Sequence, residues 1–164
     1  MLLYVMRHGP AEDAAPSGRD FDRGLTMPGR ELVAQAAQRL SQARPAPLPR
    51  ILSSPLVRAR QTSEIVRRFV CPPDTPLELH DDLQPQDAPP LTLLHDIVAT
   101  GIDTLLVGHQ PSVEYLVRSL ALQPRLSLPS GFRTAMIVGL ALEGAPSGTW
   151  TPHLVLDPRE SVAG

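Results

Sequence analysis

The 164-residue chain contains no lysine; all fifteen of its basic residues are arginine. That absence closes several routes to phosphate or carbonyl chemistry. Walker-type phosphate loops need a lysine on the nucleotide phosphates, and Schiff-base and pyridoxal enzymes need its amine. Cysteine is nearly absent too. A single Cys71 can form neither an internal disulfide nor a cysteine-based zinc cluster, and beside Pro72 and Pro73 it reads as a half-buried helix-end thiol rather than a nucleophile. No stretch approaches the ~18 apolar residues of a membrane span. The N-terminal apolar run is too short for a signal peptide and is cut by Arg7. A net charge of −2 and a pI near 6.2 leave no polybasic footprint for nucleic acid or an anionic membrane. These absences predict a cytoplasmic protein without a nucleic-acid or membrane partner, and they leave its oligomeric state open.

What the chain does have is placed at strand ends. Leu2 to Met6 reads as a strand that delivers Arg7-His8-Gly9 to its C-terminal edge, where open α/β sheets bind ligands. Glycine there lets backbone N–H groups approach an anion closely. A fixed cation beside an imidazole suggests phosphoryl transfer through a histidine nucleophile. Two further segments repeat the plan: Ser53-Ser54-Pro55-Leu56-Val57-Arg58-Ala59-Arg60-Gln61-Thr62 follows Ile51-Leu52, and Gly108-His109-Gln110-Pro111 follows Thr104 to Val107. Arg58 and Arg60 stand about 200° apart around a helix axis, so both cannot aim at one site.

The rest of the chain alternates apolar runs with helical periods, the pattern of βαβ units. Thr26 is expected to cap a helix whose apolar positions are Leu32, Val33, Ala36, Ala37 and Leu40. Ser54 and Pro55 are expected as cap and first residue of a second helix, with Thr62, Ile65, Val66 and Phe69 inward. Leu77 to His80 reads as a strand, Leu91 to Val98 as a helix, Asp103 to Val107 as a strand and Pro111 to Leu120 as a helix. Ala135 to Leu142 and His153 to Leu156 read as final strands, antiparallel through a turn over Gly144 to Gly148. The length suits one domain that buries roughly two-thirds of its unfolded surface.

Taken jointly, Arg7-His8-Gly9, Ser54-Pro55-x-x-Arg58-Ala59-x-Gln61-Thr62 and the distal Gly108-His109 resemble the pattern of the histidine phosphatase (phosphoglycerate mutase-like) superfamily. Met6-Arg7-His8-Gly9, Arg23-x-Leu25-Thr26 and Gly108-His109-x-Pro111 are similar to its short bacterial phosphohistidine phosphatases. The resemblance implies one α/β domain over residues 1–164, a three-layer α/β/α fold whose sheet is mostly parallel with an antiparallel edge and which carries no large cap insertion. It implies that His8 is the nucleophile, and that Arg7, Arg58 and His109 complete the catalytic set. It selects Arg58 over Arg60. Arg7, Gly9, Arg23, Arg58 and His109 would hold the phosphoryl group. No cofactor or metal is implied. The substrate would be phosphohistidine on a signalling or carrier protein, with small phosphoesters as the alternative.

The general acid is not matched uniquely. Asp82 and Asp87, after the third strand, are both candidates, and phosphohistidine asks for little acid because imidazole leaves more readily than an alkoxide. His80, His95 and His153 carry no motif and read as surface or half-buried histidines. Glu12, Asp13, Asp20 and Asp22 read as solvated loop charge, and Ser54 reads as a helix cap. A zinc hydrolase would need a spacing such as His-x-x-x-His, which the five histidines do not show. A binding module without catalysis would have little need of His8.

Overall fold

The computed structural model of the chain describes residues 1–44, 46–121, 131–144 and 148–160. Its elements are β1 (Leu2–Arg7), α1 (Met27–Ala43), β2 (Arg50–Ser53), α2 (Val57–Val70), β3 (Leu77–Leu79), α3 (Leu91–Thr100), β4 (Thr104–Gly108), α4 (Ser112–Leu120), β5 (Ile137–Glu143) and β6 (Thr149–Leu156). Short 3-10 turns cover Asp20–Asp22 and Asp81–Leu83. The six strands form one sheet in the order β3-β2-β4-β1-β5-β6. The pairs among β3, β2, β4 and β1 are parallel, and β5 and β6 add antiparallel pairs at one side. This is the expected mixed α/β class. Residues 145–147 of the expected last turn lie outside the described residues.

Alternation along the strands builds two cores. Leu3, Val5, Leu52 and Leu106 share one cluster with Ile97 of α3 and Val113, Leu116 and Val117 of α4. Tyr4, Met6, Ile51, Leu105 and Val107 share the other with Val33, Ala37 and Leu40 of α1 and Ala59 and Val66 of α2. Helices thus cover both faces, and that is why the central strands β1 and β4 are buried along most of their length rather than alternating. Thr26 caps α1 as expected, its Oγ1 accepting from Gly29 N at 2.9 Å, a contact worth ~1 kcal/mol.

Four local expectations differ, one being that the last strand begins at Thr149 rather than His153. The second helix begins at Val57, not Pro55, because Leu56 is still extended (ψ 140°). Its buried face is Ala59, Thr62, Ser63, Val66 and Val70, while Ile65 is half-buried and Phe69 is 44% exposed. The small Ala59 joins Ala36 and Ala37 of α1 in one cluster, where two helices can approach closely. The fifth strand starts at Ile137 because Ala135 adopts a left-handed φ of 63°. That turn brings the Ala135 N–H to the Arg7 and His8 carbonyls, 3.1 Å from each.

Candidate active site

β1, β4 and β2 end level with one another. Arg7 pairs with Gly108, and Ser53 pairs with Val107. As the chain leaves the sheet, His8 N donates to Gly108 O and Ser54 N to Val107 O, each at 3.0 Å. His8, His109 and Ser54, each the first residue past its strand, are therefore brought together. The two imidazole rings lie 5.0 Å apart at 51°, and His109 Nε2 is 2.8 Å from Ser54 Oγ.

Both rings are enclosed, His8 at 7% and His109 at 2% exposure. His8 Nδ1 is 2.7 Å from Gly9 O. A carbonyl only accepts, so Nδ1 carries the hydrogen and Nε2 keeps its lone pair. Burial is the main reason that the His8 pKa falls to about 4; Arg58, Arg7 and Arg23 push it the same way, and the Gly9 bond opposes them. Burial also dominates for His109, and with His8 and the same three arginines it lowers that pKa to about 2. Both rings are neutral at pH 7. Gly9 differs from expectation, since its N–H is not free for an anion but donates to Thr62 Oγ1 at 3.0 Å. Its glycine character serves close approach instead, because a Cβ there would run into Val33.

The arginines sort as the helix geometry requires. Arg58, in the first turn of α2, is 5% exposed, while Arg60 faces solvent. Arg58 holds Asp20 by two bonds, Nη1 to the backbone carbonyl at 2.9 Å and Nη2 to the carboxylate at 3.1 Å. The other oxygen of that carboxylate is 3.2 Å from Arg23 Nη1. Asp20 is thus not merely solvated loop charge, although its side chain is 62% exposed. It ties Arg23 to Arg58. Arg7 donates from Nη1 to Phe132 O at 3.0 Å, and burial lowers its pKa with help from Arg159. Arg7 Nε, Arg23 Nε, Arg58 Nε and His109 Nδ1 make no hydrogen bond to the described residues.

Other residues of the Ser-Pro-x-x-Arg-Ala-x-Gln-Thr segment prove to be struts. Gln61 Oε1 accepts from Leu25 N at 2.8 Å, and Thr62 Oγ1 donates to Arg58 O at 2.7 Å while receiving the Gly9 N–H. Ser54 is the residue that sequence reasoning misassigned. Its hydroxyl is taken up by His109 and the Leu56 N–H, and it caps no helix because α2 starts three residues later. The motif's fixed serine was the only signal of this. Neither acid candidate bonds a site residue among the described residues: Asp82 lies 3.9 Å from His80 Nδ1 and Asp87 is exposed. His95 and His153 are exposed. Cys71 stands at the far end of α2, its thiol pushed up to about 11 by burial. Among the described residues no three His, Cys, Asp or Glu side chains cluster so as to hold a metal ion, and no helix is long and apolar enough to cross a membrane.

Comparison with known proteins agrees with this geometry. The sequence profile of the histidine phosphatase superfamily (branch 1) matches residues 3–95. An uncharacterized protein, SYNPCC7002_A2622, of Picosynechococcus sp. is 36% identical over 124 residues, 74% of this chain and 73% of that protein. The structure of the protein histidine phosphatase SixA complexed with tungstate superposes with a TM-score of 0.80 at 30% identity, covering 96% of this chain and 97% of that one. The putative phosphohistidine phosphatase SixA from Agrobacterium tumefaciens gives 0.76 at 30% identity, covering 94% and 97%. A mycobacterial glucosyl-3-phosphoglycerate phosphatase shares the fold at 0.73, with 17% identity over 98% and 99% of the two chains. The strand-end motifs, the sheet order and these matches together show that the chain belongs to the histidine phosphatase superfamily and is a phosphatase.

Proposed function

We propose that the protein dephosphorylates phosphohistidine on a signalling or carrier protein, by double displacement through His8. The observation that carries this reading is the fixed tautomer of His8. With Nδ1–H held by the Gly9 carbonyl, the lone pair of Nε2 is free to attack phosphorus in line. The P–N bond to the substrate imidazole breaks, and the leaving imidazole takes a proton from water. A second water, giving one proton to the hydroxide left by the first, then attacks phosphorus, releasing inorganic phosphate and returning the electron pair to Nε2. Arg7 and Arg58 hold the equatorial oxygens, a task for which the guanidinium fork suits better than an ammonium. His109, opposite His8, stabilises charge in the transition state, and Arg23 adds a contact through its link to Asp20.

Substrate class follows from two observations. The connectors between the elements stay short, the stretch from His8 to Thr26 being the longest, and a site without a capping insertion suits a phosphoryl group presented on a protein. Neither Asp82 nor Asp87 bonds to the imidazole pair among the described residues, and an alkoxide would need such an acid where imidazole does not. A lone thiol with no disulfide suits a reducing, cytoplasmic setting. Side-by-side turnover of a phosphohistidine protein and of small phosphoesters tests the reading. Preference for the protein is expected; preference for an alkyl phosphate would make this a small-molecule phosphatase.

A further inference from the structure

Ser54 is 0% exposed. A serine hydroxyl has one hydrogen to give and two lone pairs to fill. The Leu56 N–H donates to its oxygen at 3.3 Å, and that bond leaves the hydroxyl hydrogen unplaced. Among the described residues, the one other hydrogen bond of Ser54 Oγ is to His109 Nε2 at 2.8 Å. If that nitrogen carried a hydrogen, two donors would face each other or the serine hydrogen would be buried without an acceptor. Donating that hydrogen to Nε2 leaves one buried group, the Nδ1–H, without a partner among the described residues, whereas an Nε2–H would leave two, the serine hydrogen and the Nδ1 lone pair. The bookkeeping therefore points one way along the bond.

We propose that Ser54 is a positioning residue whose hydroxyl donates to His109 Nε2, holding His109 in the Nδ1–H tautomer so that it offers the phosphoryl group a neutral N–H donor. This rests on the reading above, in which His109 faces that group. His109 Nδ1 has no other partner among the described residues. In the opposite tautomer that atom would present a lone pair to the phosphoryl oxygens and repel them. An imidazolium would donate from both nitrogens and deprive the serine hydrogen of its acceptor. Burial, which keeps His109 neutral, works in the same direction.

The test is a long-range ¹H–¹⁵N correlation on protein labelled with ¹⁵N-histidine at pH 7, with the His109 signals assigned from their absence in His109→Ala. The wild-type spectrum should show His109 Nδ1 protonated and Nε2 bare. Ser54→Ala should lose that preference and lower kcat about tenfold, the value of one hydrogen bond, with KM little changed. A wild-type spectrum with Nε2 protonated would overturn the proposal, and so would a folded Ser54→Ala that keeps the wild-type tautomer. Should Ser54→Ala not fold, the wild-type spectrum decides alone. The tautomer is read without turnover, so failure of the phosphatase reading would show separately, as activity persisting in His8→Ala.

Discussion

His8 and His109 are the same residue type, both first past a parallel strand and both buried, with burial lowering both pKa values, yet their rings are bonded at opposite nitrogens. His8 gives its Nδ1 hydrogen to a backbone carbonyl and keeps a lone pair on Nε2. His109 has its Nε2 occupied by a serine hydroxyl, which leaves Nδ1 without a partner among the described residues. What differs is the group behind each ring. An acceptor behind the imidazole would make a nucleophile of its other nitrogen, and a hydroxyl donating to it, as proposed for Ser54, would make a donor. The backbone carbonyl cannot be removed by substitution, whereas the serine can, so the His109 side is the more adjustable half of the site.

Substitution should separate the two halves. His8→Ala is expected to abolish turnover without unfolding the protein, since no other nucleophile stands at its position. His109→Ala removes a charge stabiliser rather than the nucleophile, and should lower kcat on the order of 10²-fold while leaving measurable turnover. Arg58→Ala should cost a similar factor and Arg60→Ala almost nothing; steady-state kinetics on the four variants checks the ranking. Equal loss in His8→Ala and His109→Ala would break the comparison.

Titration sharpens it. NMR of the imidazole carbons should show His8 protonating near pH 4 and His109 only below it, because a charge on His8 opposes a second 5.0 Å away. Both values lie below the ordinary 6.5, so the unfolded chain takes up protons that the native one refuses. Stability from this source is complete above about 6.5 and declines as pH falls toward 4. His8 alone accounts for about 3 kcal/mol of that loss. Urea unfolding at pH 7 and pH 4.5 measures it; stability unchanged over that range would mean the rings are not held neutral.

Smaller effects test the surroundings. Asp82→Asn and Asp87→Asn should leave phosphohistidine hydrolysis within about tenfold of wild type; a loss of 10² or more in either would identify a general acid. Exhaustive chelation should leave the rate unchanged, because Arg7, Arg23 and Arg58 would already supply the positive field that a metal ion gives elsewhere.

Most of the site was legible because its parts are local. A strand, then Arg-His-Gly, a second Arg chosen by the family pattern from two that helix angle sets apart, and Gly-His after the fourth strand are each visible within ten residues. The supports were not, because they join distant parts of the chain. Ser54 meets His109 across 55 positions and Arg58 meets Asp20 across 38, and neither pairing leaves a periodic trace. Local rules even misread Ser54, since serine before proline is what a helix cap looks like. The face of α2 was misread for a related reason, because the small side chains of α1 that pack with Ala59 are not visible from the sequence of α2. Ala135 escaped notice because a left-handed alanine is not a turn signal.

The central claim is that His8 Nε2 becomes phosphorylated. Rapid-quench labelling with a ³²P-phosphohistidine protein, followed by peptide mapping, tests it most directly. Label bound covalently at His8, stable in alkali and labile in acid, is the predicted result. Label on Ser54, an aspartate or Cys71, or turnover with no covalent label at all, would contradict it.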